Sequence, residues 1–537
     1  MSERSERLFE ALSGIDEQKI DEAAPKEKRV VHWKRWGVLA AALAVVIGAG
    51  SYVLPRLGGS ANSAGAGGAG ADGASTFMSY AGPVFPLTLK EADGDIMARR
   101  EITLDFAPWV KVWWSNQEEA DSRENLTPEQ RQKVLDMYNE LHPEGGRWKS
   151  STDIRVTDAY TLTNASREDK TVSVLYPFAS ELGYVEEQRP ALTKDGQMLD
   201  TVLRAGDYSG GFGGAGGPES EGRWNLVRLN AWEEYKTLLE GGGYPYQQSA
   251  FEPYPDLSDT PAIVYEFTDP QGDGSQAATI QAGFDLEYTR TMVLSFGFNG
   301  GSYDYEGGWE SKDFFIPKPQ TPGWDDPRYL IVLGEDVRNM TIQGYKDGGC
   351  EAGDERDFTV SVRRYEISLE NILEEIAQMK YSWAEDPKAD FEMYFGLMKE
   401  NLLTYGILSD YPAERYHTGR LDDLDFAYMD RVFYLEAQVT IPAGGSVILT
   451  AEMTKEGSYD FYCAHTKNRG VYGYDMVTKL GSNLSCRSQA AVLEDRGQIE
   501  IIWQNFGFDL TNGVNRVSLD PDQEHYYLEV KRISEEK

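Results

Sequence analysis

The clearest pattern in the chain is alternation. In residues 153–178, DIRVTDAYTLTNASREDKTVSVLYPF, Ile154, Val156, Tyr160 and Leu162 alternate with polar neighbours. Val172, Val174 and Tyr176 alternate again after the polar turn at 164–169. A period of two turns one face of a strand to a core and the other to water, so this stretch predicts a half-buried antiparallel hairpin. Residues 432–453, VFYLEAQVTIPAGGSVILTAEM, predict a second, with its turn at 442–446. Further strands are expected at 261–268, 289–298, 328–333, 357–366, 498–504 and 525–532. Short strands joined by such turns predict β-sandwiches, in which two sheets bury their facing sides.

Helical spacing interrupts the strands. Thr127 as N-cap and Pro128 in the first helical position predict a helix running to about His142. A second is expected at 230–239. The longest helical zone is 368–408, where Leu369, Ile372, Leu373 and Ile376 share one face. After a break near Asp386 and Pro387, Phe391, Tyr394, Phe395 and Met398 share another. The zone reads as a helical insertion between strands. The expected fold class is mainly β with helical insertions (α+β).

A third pattern comes first in the chain. Residues 37–54, GVLAAALAVVIGAGSYVL, carry no charge. At about 1.5 Å per residue they reach about 27 Å, close to the hydrocarbon thickness of a bilayer. Lys26, Lys28, Arg29, Lys34 and Arg35 precede the run, and basic residues stay on the cytoplasmic side. The expectation is a single transmembrane helix at the cell membrane, with the N-terminus cytoplasmic and the C-terminal region extracellular. A cleaved signal peptide and a buried core helix are the alternatives. The run starts later than signal sequences usually do, and its basic flank and Gly/Ala-rich sequel tell against a core helix.

Ahead of the anchor, Leu8, Leu12 and Ile15 fall at i, i+4 and i+7 with Phe9 alongside, and Ile20 follows on a second short helix capped by Asp16. This stripe is too small to bury a core of its own. It calls for a partner, another copy or the membrane surface. Residues 57–76 form a Gly/Ala/Ser tether of about 25 Å. The expected organisation is a tail at 1–36, the span at 37–54, a linker at 55–76 and β-rich extracellular regions at 77–345 and 346–537, the last containing the helical insertion.

The segment LFEALSGIDEQKIDEAA, followed by a basic cluster and a single span, resembles the N-terminus of uncharacterised single-pass membrane proteins of clostridia-like Gram-positive bacteria. The resemblance covers about the first tenth of the chain. Some proteins of this layout are linked to extracytoplasmic-function sigma factors, which implies an anti-sigma-like tail binding a cytoplasmic regulator. The His-x-x-x-Cys-x-x-Cys zinc motif of the best-known anti-sigma domains is absent from this tail. The stretch STFMSYAGPVFPLTL at 75–89 is similar to large exodomains behind such anchors and implies no activity.

Charge narrows the range of partners. The formal net charge is −36 over 537 residues, and the acidic excess falls after the anchor. Such a surface repels nucleic acid and suits cations or basic partners. Three cysteines, Cys350, Cys463 and Cys486, make no disulfide framework, although Cys463 and Cys486 are spaced to close one bridge. Joined by His465, the three match no usual zinc spacing.

Catalytic motifs are sparse. The histidines beyond the anchor, His142, His417, His465 and His525, include no His-Glu-x-x-His, and no Gly-x-Ser-x-Gly elbow occurs. Asp422, Asp423 and Asp425 cluster, and Asp520, Asp522 and Glu524 alternate. Oxygen ligands at alternate positions suit Ca²⁺, although neither set has the glycine and distal glutamate of an EF-hand. Trp109, Trp113 and Trp114 form one aromatic cluster. Tyr244, Tyr246 and Tyr254 lie in a proline-rich loop that cannot join a central strand, and so form a candidate binding face. Together these features predict a non-enzymatic extracytoplasmic binding or sensing protein at the cell envelope. The alternatives are a surface hydrolase with a carboxylate pair and a structural envelope protein.

Overall fold

The computed structural model describes residues 76–533, apart from 80, 110, 124–126, 209–235, 238, 241–248, 273–277, 317–325, 384–388, 405–406, 409–418, 425, 429–430, 463–468 and 521. The expected tail with Leu8, Phe9, Leu12, Ile15 and Ile20, the span at 37–54 and the tether up to residue 75 lie outside the described residues. Among the described residues, no helix is long and apolar enough to cross a membrane. All of them belong to one compact unit, Val53–Lys537.

Alternation does produce strands, and the protein is mainly β. A seven-stranded sheet runs in the order Arg516–Leu519, Ser485–Glu494, Ile96–Asp105, Ile154–Asn164, Ser446–Lys455, Ala191–Lys194, Gln197–Met198. Ser485–Glu494 and Ile96–Asp105 pair in parallel; the other neighbours are antiparallel. Two smaller sheets share cores with it. The four-stranded sheet Val202–Tyr208, Arg431–Ile441, Lys170–Ser180, Thr88–Leu89 packs Val174, Tyr176 and Phe433 with Ala98, Leu162 and Leu449. The three-stranded sheet Val471–Val477, His525–Arg532, Ile499–Gln504 packs Met476, Leu528 and Val530 with Ile102, Val156 and Leu493.

The two expected hairpins are not hairpins. Ile154–Asn164 lies in the seven-stranded sheet and Lys170–Ser180 in the four-stranded one, so the turn between them crosses from sheet to sheet. Arg431–Ile441 and Ser446–Lys455 make the same crossing. Each strand pairs with its counterpart in the other arch: Ile154–Asn164 with Ser446–Lys455, and Lys170–Ser180 with Arg431–Ile441. The turns interlock too. The Asn164 side-chain amide donates to the carbonyls of Glu168 and Ile441, and the Ala443 amide donates to Asp169. A period of two has no means of telling a hairpin from an arch, because both bury alternate residues.

Neighbouring strands Val202–Tyr208 and Arg431–Ile441 are separated in sequence by residues 209–430. The described part of this excursion holds two more sheets. One runs Thr291–Phe296, Arg328–Gly334, Pro261–Gly272, Phe358–Ser368. The other, five-stranded, runs Gly300–Asp304, Trp309–Phe315, Thr279–Asp285, Arg338–Tyr345, Glu355–Arg356. Phe267, Ile280, Phe284, Phe314, Leu330 and Val332 fill the core that they share. On the other face of the first sheet, Val264, Leu294 and Ile331 share a core with helices Leu369–Trp383 and Phe391–Thr404. The boundary expected at 345 therefore divides no core, since Pro261–Gly272 pairs with Phe358–Ser368 across it. The helical insertion itself is where the periodicity placed it.

One further unit stands apart from these sheets. Lys111–Ser115 pairs with Gly146–Ser150, and helices Asn116–Asp121 and Pro128–Leu141 connect the two strands. Ser115 and Thr127 each close a capping box, with Glu118 and Gln130 respectively.

At the junction of the three sheets sits a buried ion pair. Arg100 and Asp158 come from adjacent strands of the seven-stranded sheet, and both side chains are fully inaccessible. The guanidinium is bidentate, with Nε on Oδ1 at 2.8 Å and Nη2 on Oδ2 at 2.9 Å. Nη1 donates to the Val477 carbonyl at 2.7 Å. The Tyr160 and Tyr176 hydroxyls donate to Asp158 Oδ2 at 2.9 and 3.0 Å, and the Leu87 amide donates to the Tyr160 oxygen. Burial alone would lower the Arg100 pKa; the Asp158 carboxylate outweighs it and raises the value. Burial, with Asp158 adding to it, keeps both tyrosines protonated as donors. Removing one partner strands the other charge in the core, at a cost of about 3–5 kcal/mol. Asp158→Asn is expected to destabilise by that amount in chemical denaturation, and the double variant Arg100→Met/Asp158→Leu by clearly less.

Candidate functional site

Among the described residues, those singled out in the sequence do not gather into one site. Tyr254 is half-buried against helix Phe391–Thr404, where a Cβ added to Gly396 would come 2.2 Å from its ring. Burial pushes its hydroxyl up to about 12. Its ring packs on that helix. Tyr244 and Tyr246 lie outside the described residues. Asp520 Oδ1 accepts from the Asp522 amide in its own turn. Glu524 Oε1 instead accepts from the amides of Lys479 and Leu480 at 3.1 and 2.6 Å. Asp520 and Glu524 thus brace two different backbone segments. Among the described residues no group of three or more His, Cys, Asp or Glu side chains is arranged to hold a metal ion. Asp422 accepts from the Gly297 amide, and Asp423 pairs with Arg420.

The other candidates disperse as well. Cys350 and Cys486 are free thiols, and Cys463 lies outside the described residues. His525 Nε2 meets Asp475 Oδ2 at 2.9 Å, but both side chains are inaccessible, so no substrate reaches them. Trp109 is core, edge-on to Phe106. Trp113 and Trp148 face each other across the short ribbon, edge to face at 5.5 Å, and are 41% and 65% exposed. An isolated two-stranded ribbon is marginal in water, and this pair stabilises it.

A different set of side chains does converge, on the outer face of the five-stranded sheet. Strand alternation puts Phe314, Ile280, Phe284 and Ala282 in the core. It therefore turns Trp309, Asp313, Gln281, Gly283, Thr341 and Gln343 the other way. The register sets them in rows. Asp313 lies opposite Gln281, and Gln281 opposite Gln343. In the next row Ser311 lies opposite Gly283, and Gly283 opposite Thr341. The Trp309 indole leans over that row: a Cβ added to Gly283 would come 3.5 Å from both its Cζ2 and its Nε1. Glycine at 283 is what lets the ring lie against the sheet.

Each end of the face is bounded. Beyond Trp309, the Tyr288 hydroxyl donates to the Trp309 carbonyl at 3.0 Å, and Tyr305 stacks on Tyr288 at 4.8 Å. Beyond Asp313, the loop 346–354 rises, with Gly348 against the Phe315 ring. There burial, with the Asp313 and Asp347 carboxylates beside it, pushes the Cys350 thiol up to about 12. The Asp313 carboxylate leans over Gly300, where a Cβ would come 2.5 Å from Oδ2. Trp309, Asp313, Gln281 and Gln343 are all half-buried, and Thr341 is exposed. The result is an indole beside a row of two amides and a carboxyl, partly open to solvent.

Burial also raises the Asp313 pKa to about 6 against the pull of Lys312. Asp153 and Asp422 are raised by burial too, and each stands in a different part of the molecule. In none of the three is a second carboxylate the main cause.

No family model, no curated protein and no solved structure matches the chain.

The raised Asp313 pKa has a stability consequence with a definite sign. Between about pH 4 and 6 the folded state holds a proton that the unfolded state has released, so stability falls as pH rises through that window. Asp313→Asn is expected to match the parent near pH 4. At pH 7 it is expected to be more stable by about 1–2 kcal/mol after allowing for part exposure. Thermal melts of both proteins across the window check this.

Proposed function

We propose that this chain is a membrane-anchored extracytoplasmic binding or sensing protein, a β-sandwich-type region held behind a single transmembrane helix. The observation that carries the reading is the row Asp313, Gln281 and Gln343 beside the Trp309 indole. Polar side chains set side by side on a solvent-facing sheet, next to an aromatic plane, are the ingredients of a recognition surface. The basic-flanked apolar run and the tether would set that surface outside the cell, near the membrane. Its ligand would be a component of the cell envelope. The tail, through Leu8, Phe9, Leu12, Ile15 and Ile20, would carry the bound state to a cytoplasmic regulator in an anti-sigma-like manner.

Two experiments test the two halves of this reading. Purified full-length chain in phosphatidylcholine nanodiscs is expected to co-sediment with isolated cell-wall material, and Trp309→Ala to abolish most of the sedimentation. Equal sedimentation of the two proteins, or none of either, sinks the assignment of this face. In intact cells, protease added outside is expected to digest the region after residue 76 and to spare a tag at the N-terminus. Digestion of that tag would reverse the topology. Capture of a sigma factor by residues 1–36, lost in Leu8→Asp/Leu12→Asp, is the expected sign of signalling.

A further inference from the structure

We propose that the outer face of the five-stranded sheet binds a neutral, gluco-configured pyranose chain, with one ring stacked on Trp309 and its hydroxyls bonded by Gln281, Gln343 and Asp313. This rests on the reading of that face as the ligand site and names the ligand class. The groups present match a sugar in kind. An indole presents a π face of negative character. A pyranose ring whose hydroxyls are all equatorial presents only axial C–H bonds above and below, each slightly positive. A planar aromatic beside polar groups therefore matches a ligand that is apolar on its faces and polar around its rim.

Donors and acceptors on the face also suit hydroxyls. Each sugar hydroxyl both donates and accepts, and a glutamine amide offers one group of each kind. Gln281 and Gln343 are direct cross-strand neighbours, and Asp313 continues the row. Such neighbours stand about 5 Å apart, the scale of one ring and its substituents. Thr341, one row along and exposed, adds a hydroxyl beside the indole.

The face also disfavours peptides and anionic polymers. An extended peptide adds to a sheet at its edge, where main-chain groups are unpaired. The central strands Trp309–Phe315 and Thr279–Asp285 are hydrogen-bonded on both sides, so this face offers a peptide no backbone ladder. Asp285 and Asp304 lie opposite Trp309, and Asp347 stands with Asp313 beside Cys350; Arg338 faces Asp285, so carboxylates predominate around the face and disfavour anionic polymers. A neutral chain meets neither obstacle.

The test is calorimetric titration of the full-length chain in phosphatidylcholine nanodiscs with chitohexaose, cellohexaose, a hexagalacturonate and a hexalysine peptide. Saturable binding of at least one neutral hexasaccharide is expected, with none of the galacturonate. Trp309→Ala is expected to weaken it about tenfold, in line with the loss of one aromatic stacking contact. Gln281→Ala and Gln343→Ala, which remove half-buried polar groups without opening the core, are each expected to weaken it several-fold. Trp113→Ala, on the separate ribbon, is expected to leave it unchanged. Three outcomes overturn the proposal: no neutral hexasaccharide binding at millimolar concentration, binding of hexalysine alone, or sugar binding that Trp309→Ala and Gln281→Ala leave intact. Wall sedimentation that depends on Trp309 without any hexasaccharide binding would remove the sugar and keep the site. Loss of both would remove the site as well.

Discussion

The bidentate contact between Arg100 and Asp158 is the point on which three sheets depend. Its two charges sit on adjacent strands of the seven-stranded sheet, and its other bonds reach outward. Val477 belongs to the three-stranded sheet, and Tyr176 to the four-stranded one. Leu87 is tied in through Tyr160. A guanidinium has donors in a fixed plane, so it accepts only one arrangement of these partners. Leucines in the same place would bury area as well, but would tolerate sliding. The polar knot specifies how the two smaller sheets abut above the larger one. Its contribution to net stability is a separate matter, because desolvating both charges offsets much of their attraction.

Much of the secondary structure was legible in the sequence, and its pairing was not. Every strand proposed from alternation exists, and so do the capped helix after Thr127 and the two-part helical zone after Ser368. The strand partners differ from those expected. Residues 153–178 read as a strand, a tight polar turn and a strand, which is also how a hairpin reads. What makes them an arch is a second arch nearly three hundred residues away, whose strands bond to each of them. Nothing local encodes that. The same holds for the expected boundary at 345, which looked loop-like and is a turn inside one sheet system.

The candidate site was hidden for a related reason. Trp309 follows two glycines, in a stretch that reads as an acidic, aromatic turn. Gln281 and Gln343 are unremarked polar positions in short strands. They become neighbours only through the register. Tyr254, by contrast, looked like a binding ring because prolines flank it, and those prolines instead deliver it to a glycine on a helix. Composition marks which side chains are suited to recognition; the fold decides which of them meet. Glycines 283 and 396 carried the missing information, since each marks where a ring comes to rest.

The excursion between Tyr208 and Arg431 bears on how the chain can be made. The seven-stranded sheet needs Ile96–Asp105 beside Ser485–Glu494, and the Thr88 hydroxyl bonds to Asn483. Neither contact can form until residues 483–494 have emerged. The two sheets within the excursion need only residues 261–368, so their core can close earlier. Pairings of such long sequence separation form slowly and leave strand edges open meanwhile. Assembly order is thus built into the connectivity: the inner module ripens first, and the outer sheets wait, unsealed, for residues 485–532 to arrive.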